Sequence, residues 1–223
     1  QPITLYHKLD IYQIQKKLAS GGYGDVYQGI NLKTNVLVGI KLELALCDKP
    51  KLFREAKIYK RLLDSSPVAN QCFPNIYYCD TIGMYNVLIM DLLGSNFEEL
   101  FVKCQKKFSL KTILMIAEQM LSLIEIVHKN NYLHRDIKPS NFLIGLGKSC
   151  DKIFLVDFGS AKSYIDENDR HIRYNEDSHM KGTVNYASIW TQSGMENGRR
   201  DDLESMGYML IYSMMLLVSF FLL

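Results

Sequence analysis

The spacing of apolar and polar residues changes along this chain of 223 residues. In the first part, short runs rich in Val, Ile and Leu are separated by polar or glycine-containing turns, which is the pattern of β-strands. From Phe97 onward, apolar residues recur at helical spacing instead. The change predicts two lobes, the first mainly β and the second mainly α. The predicted strands of the first lobe cover residues 11–18, 26–30, 35–42 and 85–90.

One helix is predicted among these strands. Ile58, Tyr59 and Leu62 recur at three- and four-residue intervals from Glu55, so the helix has one apolar face with Glu55 at its edge. An aspartate and a proline at 48–50 are its start signals.

A longer helix is predicted in the second lobe over residues 109–128, with Asn130 and Asn131 as its stop. Its apolar residues form a single stripe, which we interpret as core. The stripe consists of Ile113, Ile116, Ala117, Met120, Ile124 and Val127.

Composition and charge narrow the class of protein without deciding it. The formal net charge is +2 and no long run of one sign occurs, so nothing in the sequence calls for a nucleic-acid partner. The five cysteines have no close pairing and no secretory leader precedes them, so we expect reduced thiols in the cytoplasm or the nucleus. They are Cys47, Cys72, Cys79, Cys104 and Cys150.

The most specific chemical signal is His-Arg-Asp-Ile-Lys-Pro-Ser-Asn at residues 134–141, followed by Asp157-Phe-Gly. Phosphoryl transfer needs one carboxylate to orient the attacking hydroxyl and accept its proton, and further oxygen ligands to hold Mg²⁺ against the triphosphate. Asp136 fits the first role, and Asn141 and Asp157 fit the second. Lys138 lies between them, placed to neutralise charge on the transferred phosphate. A lone His-Arg-Asp triplet would be weak evidence. Here all eight positions of 134–141 fit the catalytic-loop pattern and a correctly spaced Asp-Phe-Gly follows, so the evidence is strong.

A glycine-rich hairpin is predicted between the first two strands. Glycines let the backbone approach phosphate oxygens and offer N–H donors. The same residues also make ordinary hairpin turns, so the signal is weak by itself. The nucleotide-binding residues predicted here are Leu18, Ala19, Ser20, Gly21, Gly22, Tyr23, Gly24, Asp25 and Val26.

Lys41 lies near the end of the third predicted strand, in the run Val-Gly-Ile-Lys. This run corresponds to the Val-Ala-Ile-Lys strand of protein kinases, whose lysine reaches the α- and β-phosphates of ATP. An exposed strand lysine is the alternative interpretation. Glu55 favours the functional one, because a carboxylate on the apolar face of the nearby helix can turn inward and hold Lys41.

Several longer segments together resemble the casein kinase 1 family of protein serine/threonine kinases, over about residues 12–212. The most specific is Gly-Thr-Val-Asn-Tyr-Ala-Ser-Ile at 182–189, which stands where most protein kinases carry Ala-Pro-Glu. Lys138, two residues after Asp136, follows the serine/threonine pattern. Further similar segments lie at 107–112, 142–147 and 199–205.

The resemblance implies an α+β fold of the bilobal protein-kinase type. Residues 1–93 would form the β-rich N-lobe, and residues 94–223 a mainly α-helical C-lobe that lacks the family's last helices. ATP and Mg²⁺ would be the cofactors. The expected partners are protein substrates with Ser or Thr near acidic or phosphorylated residues, and the enzyme is expected to be monomeric.

The resemblance adds further residue roles to those that the motifs predict. Thr183 would steady Asp136 and Lys138, and Asp202 would anchor the catalytic loop's backbone. Lys41, Glu55, Asp136, Lys138 and Thr183 would be the catalytic set. The resemblance also places Leu143 beneath the adenine and Val156 beside it. The strand at 85–90 and the connector that follows it predict three more nucleotide-binding residues, Met90, Asp91 and Leu93.

Asn185 and Ser178 occupy positions where the family's basic residues bind the phosphate of a primed substrate. Charge-assisted hydrogen bonds to phosphate are lost there. Arg173 and Lys181 lie nearby and could compensate, so a preference for primed substrates stays open.

The apolar, uncharged segment 205–223 is predicted to be helical and has two interpretations. At about 1.5 Å per residue it is about long enough to cross a bilayer. The preferred interpretation is the buried central helix of the large lobe in a truncated kinase. Two functional hypotheses result: an active serine/threonine kinase, and a catalytically weak nucleotide-binding or interaction module, tethered to a membrane by this segment.

Overall fold

The computed structural model describes residues 11–21, 24–47, 50–176 and 178–221, with side chains as far as Met214 in the last helix. The described chain divides into two compact units, the first ending at Leu93 and the second beginning at Gly94.

A five-stranded antiparallel sheet forms most of the first unit, with strand order β1-β2-β3-β5-β4. The even-numbered residues of β3, which include Val38, Ile40 and Leu42, pack with apolar residues of β4 and β5 on one face. The helix α1 of this unit packs against β4 and β5. The elements are β1 (Tyr12–Gly21), β2 (Gly24–Asn31), β3 (Leu37–Leu44), α1 (Leu52–Ser65), β4 (Ile76–Ile82) and β5 (Tyr85–Asp91).

The predicted bounds of the first two strands were too short. β1 continues to Gly21 and β2 begins at Gly24, so the ladder runs through the glycine-rich segment itself and pairs these two residues. The predicted strands ended at Leu18 and resumed at Val26, because the glycine-rich segment between them was interpreted as the turn of the hairpin. The helix start signal at Asp48 lies outside the described residues.

The second unit is built around helices. Ser109 caps α3 by accepting a hydrogen bond from Thr112 N at 3.1 Å, and Asn96 caps α2 through Glu99 N at 2.9 Å. Two short antiparallel ladders, β6 with β9 and β7 with β8, flank the predicted catalytic loop. The elements are α2 (Phe97–Lys103), α3 (Leu110–Lys129), β6 (Tyr132–Leu133), β7 (Phe142–Ile144), β8 (Ile153–Leu155), β9 (Lys162–Ser163), α4 (Ile189–Gln192) and α5 (Arg199–Phe221).

The apolar stripe of α3 is largely confirmed as core. Four of its predicted members are buried, while Ile116 and Ala117 are only half-buried. Leu123, which the prediction omitted, is buried as well. The buried residues of the helix are Ile113, Met120, Leu123, Ile124 and Val127.

Helix α5 begins earlier than the predicted apolar segment, at Arg199. Its inner face buries Met206 and Met209, whereas Ile211 and Tyr212 are 54% and 48% exposed. Within the described ranges, no helix combines the length and the apolar character needed to span a bilayer.

Candidate active site

Lys41 and Glu55 form a buried ion pair in the first unit. Lys41 Nζ lies 2.7 Å from Glu55 Oε2, and the two side chains are 8% and 2% exposed. Strand β3 supplies the lysine and the first turn of α1 supplies the carboxylate. Separating the two side chains would leave a buried charge uncompensated, and removal of one partner of such a pair costs roughly 3–5 kcal/mol. The pair therefore holds α1 against β3.

The glycine-rich hairpin of the same unit is tied together by Asp25. Its carboxylate accepts a hydrogen bond from Ser20 Oγ at 2.6 Å and lies 2.8 Å from Lys17 Nζ. These contacts lower the pKa of Asp25, and the contact with Lys17 has the largest effect. Gly24 has φ +119°, and a Cβ there would lie 2.0 Å from the Leu42 carbonyl oxygen, so only glycine fits. The predicted nucleotide-binding residues Gly22 and Tyr23 lie outside the described residues.

The end of β5 carries the other predicted nucleotide-binding residues of the first unit. Met90 is buried, and Leu93 is half-buried. Asp91 accepts hydrogen bonds from Asn75 N and Nδ2, both at 2.9 Å, and from the Tyr77 hydroxyl. Burial, reinforced by the bond to Asp91, raises the pKa of Tyr77 to about 12. The side chain of Asp91 is therefore occupied within the unit, and its backbone N–H donates to the Asn75 carbonyl oxygen at 3.1 Å.

In the second unit, Asp136 is surrounded by three of the other predicted site residues. Lys138 Nζ lies 2.8 Å from Asp136 Oδ2, and Thr183 Oγ1 donates to Asp136 Oδ1 at 2.8 Å. Asn141 Nδ2 donates to the Asp136 carbonyl oxygen at 2.8 Å, which leaves the Asn141 side-chain oxygen available to a ligand. Asp136 is only 5% exposed, so its orientation is fixed from several sides.

Asp202 holds the backbone that precedes Asp136. Its carboxylate accepts hydrogen bonds from His134 N and Arg135 N, both at 2.9 Å, and contacts His128 Nε2 at 2.9 Å. Arg135 adopts φ +66°, a left-handed conformation that is costly for a residue with a side chain. The hydrogen bonds that His134 N and Arg135 N donate to Asp202, which lies in the first turn of α5, stabilise this conformation. This is the anchoring contact that the sequence resemblance implied.

Gly182 lets the segment that carries Thr183 approach the same loop. A Cβ at this position would lie 2.4 Å from the Arg135 carbonyl oxygen, and its φ is +86°. A glycine is therefore required for Thr183 to reach Asp136.

Asp157 is connected to Asn141 through the backbone of Val156. Val156 N donates to the Asn141 carbonyl oxygen at 3.0 Å, and the Val156 carbonyl oxygen contacts His134 Nε2 at 3.1 Å. Asp157 has φ +68°. Leu143, a predicted nucleotide-binding residue in β7 of the same unit, forms an antiparallel β-bridge with Asn96. The two predicted metal ligands thus lie on adjoining backbone segments.

The donor set fits Mg²⁺. This ion is usually bound by one or two carboxylates, with phosphate oxygens and water completing its shell. Asp157 supplies a carboxylate and Asn141 an amide oxygen. The described part of the chain contains no cluster of three or more His, Cys, Asp and Glu residues that could hold a metal, and the Asn141 and Asp157 arrangement needs none.

The chain matches the family model of the protein kinase domain over residues 12–221. It belongs to the protein kinase family. The predicted α+β bilobal kinase fold is confirmed, and the sheet of the first unit and the helices of the second are its two parts. This kinase domain implies phosphoryl transfer from ATP with a protein as substrate.

Two residues of the kinase domain that hold site residues in place were missed by sequence reasoning. Glu43 accepts hydrogen bonds from Lys51 N at 2.8 Å and Leu52 N at 3.2 Å, and so caps α1 from β3. Strand periodicity could have indicated Glu43, because it lies two residues after Lys41 and therefore on the same face of β3. Glu196, whose Oε2 lies 2.9 Å from Lys162 Nζ and whose Oε1 lies 3.5 Å from the Arg135 guanidinium, was also missed, and no local motif marks it.

Proposed function

We propose that this chain is a serine/threonine kinase of the casein kinase 1 type, which transfers the γ-phosphate of Mg-ATP to Ser and Thr hydroxyls of proteins. The observation that carries the proposal is the fixed group of Asp136, Lys138 and Thr183. A buried carboxylate held by an ammonium and a hydroxyl suits the positioning of a substrate hydroxyl. Lys138 at this spacing is the serine/threonine pattern.

In this proposal Asp136 orients the substrate hydroxyl and accepts its proton as the phosphoryl group transfers. A carboxylate has about four lone-pair sites, so the contacts with Lys138 and Thr183 leave capacity for the substrate. Lys138 balances the negative charge on the transferred group. Its side chain is 24% exposed, which allows the ammonium to contact both Asp136 and a substrate.

The remaining site residues bind the nucleotide and the metal. Asn141 and Asp157 would hold Mg²⁺, which neutralises charge on the β- and γ-phosphates. Lys41, oriented by Glu55, would bind the α- and β-phosphates. The backbone of the 18–26 hairpin would cover the phosphates, with Met90, Asp91, Leu93, Leu143 and Val156 bordering the adenine.

Acidic substrates are the class we propose, on the basis of the exposed basic side chains Arg173 and Lys181 in the segment before Thr183. Both lie close in sequence to Ser178 and Asn185, where the family's phosphate-binding residues are absent. Cations in this segment favour a substrate with Asp, Glu or phosphate near its acceptor.

The test is a panel of peptides with one acceptor in an acidic context. Peptides that differ only in having Ser, Thr or Tyr at the acceptor are incubated with the full chain and Mg-ATP, and a fourth peptide replaces the acidic residues by neutral ones. We expect phosphorylation of the Ser and Thr peptides and a lower kcat/KM for the neutral one. Preferred transfer to Tyr would contradict serine/threonine specificity, and indifference to acidic residues would contradict the substrate class.

A further inference from the structure

Glu196 joins two cations of the second unit. In the loop that connects α4 and α5, its Oε2 lies 2.9 Å from Lys162 Nζ and its Oε1 lies 3.5 Å from the nearest guanidinium nitrogen of Arg135. The side chains of Glu196, Arg135 and Lys162 are 12%, 10% and 39% exposed. A largely buried carboxylate therefore compensates two positive charges that would otherwise repel each other.

The two cations belong to the segments that carry the chemistry. Arg135 directly precedes Asp136, and its Nε donates to the Ser160 carbonyl oxygen at 2.8 Å, just beyond the Asp157-Phe-Gly sequence. Lys162 lies in β9, where it pairs with Leu133 of β6 at the entrance to the catalytic loop. Glu196 thus contacts the catalytic loop itself through Arg135, and the strand paired with the start of that loop through Lys162.

The backbone around Glu196 also binds the segment that leads to Thr183. Glu196 N donates to the Asn175 carbonyl oxygen at 2.8 Å, and Ser178 N donates to the Gly194 carbonyl oxygen at 2.7 Å. Three separate parts of the chain therefore meet at this one loop: the catalytic loop, β9, and the residues Asn175 and Ser178. A change at Glu196 reaches Asp136 through Arg135 without touching a substrate.

Charge, more than hydrogen bonding, holds Arg135 to this carboxylate. Among the described residues, Glu196 Oε1 is buried and makes no hydrogen bond. Its attraction to Arg135 at 3.5 Å is electrostatic, and it is strong because little water reaches the site. A glutamine of the same shape would lose this attraction while keeping the packing.

We propose that Glu196 is a positioning residue for phosphoryl transfer, which fixes Arg135 and Lys162 and thereby sets Asp136 for reaction. In kinases that are switched on by phosphorylation, the loop that follows the Asp-Phe-Gly sequence is ordered when its phosphorylated side chain pairs with arginine. The Glu196 carboxylate supplies an anion from within the chain. This inference rests on the proposed kinase function.

The test compares Glu196→Gln, Glu196→Asp and Lys162→Met in the full chain, with Glu125→Gln as the matched control. Glu125 forms an exposed pair with Lys129 at 2.7 Å and is 62% exposed, so its loss is neutral. We expect Glu196→Gln to lower kcat by about 10- to 100-fold, the scale of a misplaced catalytic group, with unchanged KM for ATP. Glu196→Asp is expected to recover part of the lost kcat, because it keeps the charge.

A double variant with Glu196→Gln and Lys162→Met is expected to have a kcat no lower than that of Glu196→Gln alone, since the two residues act through one contact. Wild-type kcat in Glu196→Gln would overturn the inference. A second result would also overturn it: a fall in kcat that Glu196→Asp does not relieve, together with a lower melting temperature. A purely structural role of Glu196 predicts both effects. If the wild-type chain transferred no phosphate, the proposed function would fail first, and this inference with it.

Discussion

Asp136 shows how single residues are fixed in this kinase domain. Its two carboxylate oxygens face Lys138 and Thr183, and its carbonyl oxygen accepts from Asn141. Asp202 holds the residue before it. The position of the proposed base is therefore determined by contacts from the loop itself, from the segment after 182 and from α5.

Replacing Thr183 by valine tests the nearest of these contacts. Valine keeps the shape of threonine but removes the hydroxyl that donates to Asp136 at 2.8 Å. We expect kcat to fall about 10-fold, which corresponds to about 1.4 kcal/mol of transition-state stabilisation, with little change in the KM for ATP. Steady-state kinetics with an acidic peptide measures both constants. An increase in KM for ATP with unchanged kcat would contradict the assigned role.

Cys79 provides a second test at this scale. Burial, followed by the charge of Asp80, raises the pKa of the Cys79 thiol to about 11 from 9.0. Because the thiolate is the nucleophile, its fraction at pH 8 falls about 100-fold relative to an unperturbed thiol. We expect iodoacetamide at pH 8 to label the exposed Cys104 and Cys150 before Cys79, with Cys79 labelling rising as the pH approaches 11. Equal labelling of all three, measured by peptide mass spectrometry, would contradict the shift.

At the scale of elements, the first unit joins β3 to α1 at two points. Lys41 binds Glu55 in the helix, and Glu43 caps the helix start. The N-cap residue Lys51 makes no side-chain cap of its own, so the strand supplies what the local sequence lacks. Alternation along β3 places both side chains on the face opposite the apolar cluster of Val38, Ile40 and Leu42.

Glu43→Gln tests this cap. The two oxygens of Glu43 accept from Lys51 N and Leu52 N, one each. Glutamine has only one acceptor oxygen, so its NH₂ group would face one of these two N–H donors and leave it unpaired. We expect the free energy of unfolding to fall by about 1–3 kcal/mol, and the KM for ATP to rise because α1 and Glu55 are less firmly held. Urea denaturation and kinetics measure these effects, with Glu125→Gln as control. Unchanged stability would show that the cap contributes nothing.

Local sequence patterns predicted four of the five strands of the large sheet and the three longest helices, but not β4, the short elements of the second unit or how the elements are fixed. The amphipathic spacing of α3 and the predicted strands located the elements to within a few residues. The cap from Glu43 was not predictable from local patterns, because it joins residues on different elements. The left-handed conformations of Arg135 and Asp157 were also missed, since neither is glycine and only tertiary contacts stabilise them.

For the whole molecule, the two units carry different parts of the proposed catalytic set. The first unit holds Lys41 and Glu55, and the second holds Asp136, Asn141 and Asp157. The short motifs identified these residues from sequence because phosphoryl transfer limits which side chains can serve. Glu196 was not identified, because its contacts join segments that are distant in sequence and meet only in space.

The central claim is that Asp136 in this chain supports phosphoryl transfer. The most direct measurement is the transfer of radiolabelled phosphate from Mg-ATP to casein, an acidic and serine-rich protein, by the wild-type chain and by Asp136→Asn. The variant keeps the size of the side chain but cannot accept the proton. The account predicts labelled casein with the wild type and near-complete loss with the variant. Absence of transfer by folded wild-type protein, or equal transfer by both, would contradict it.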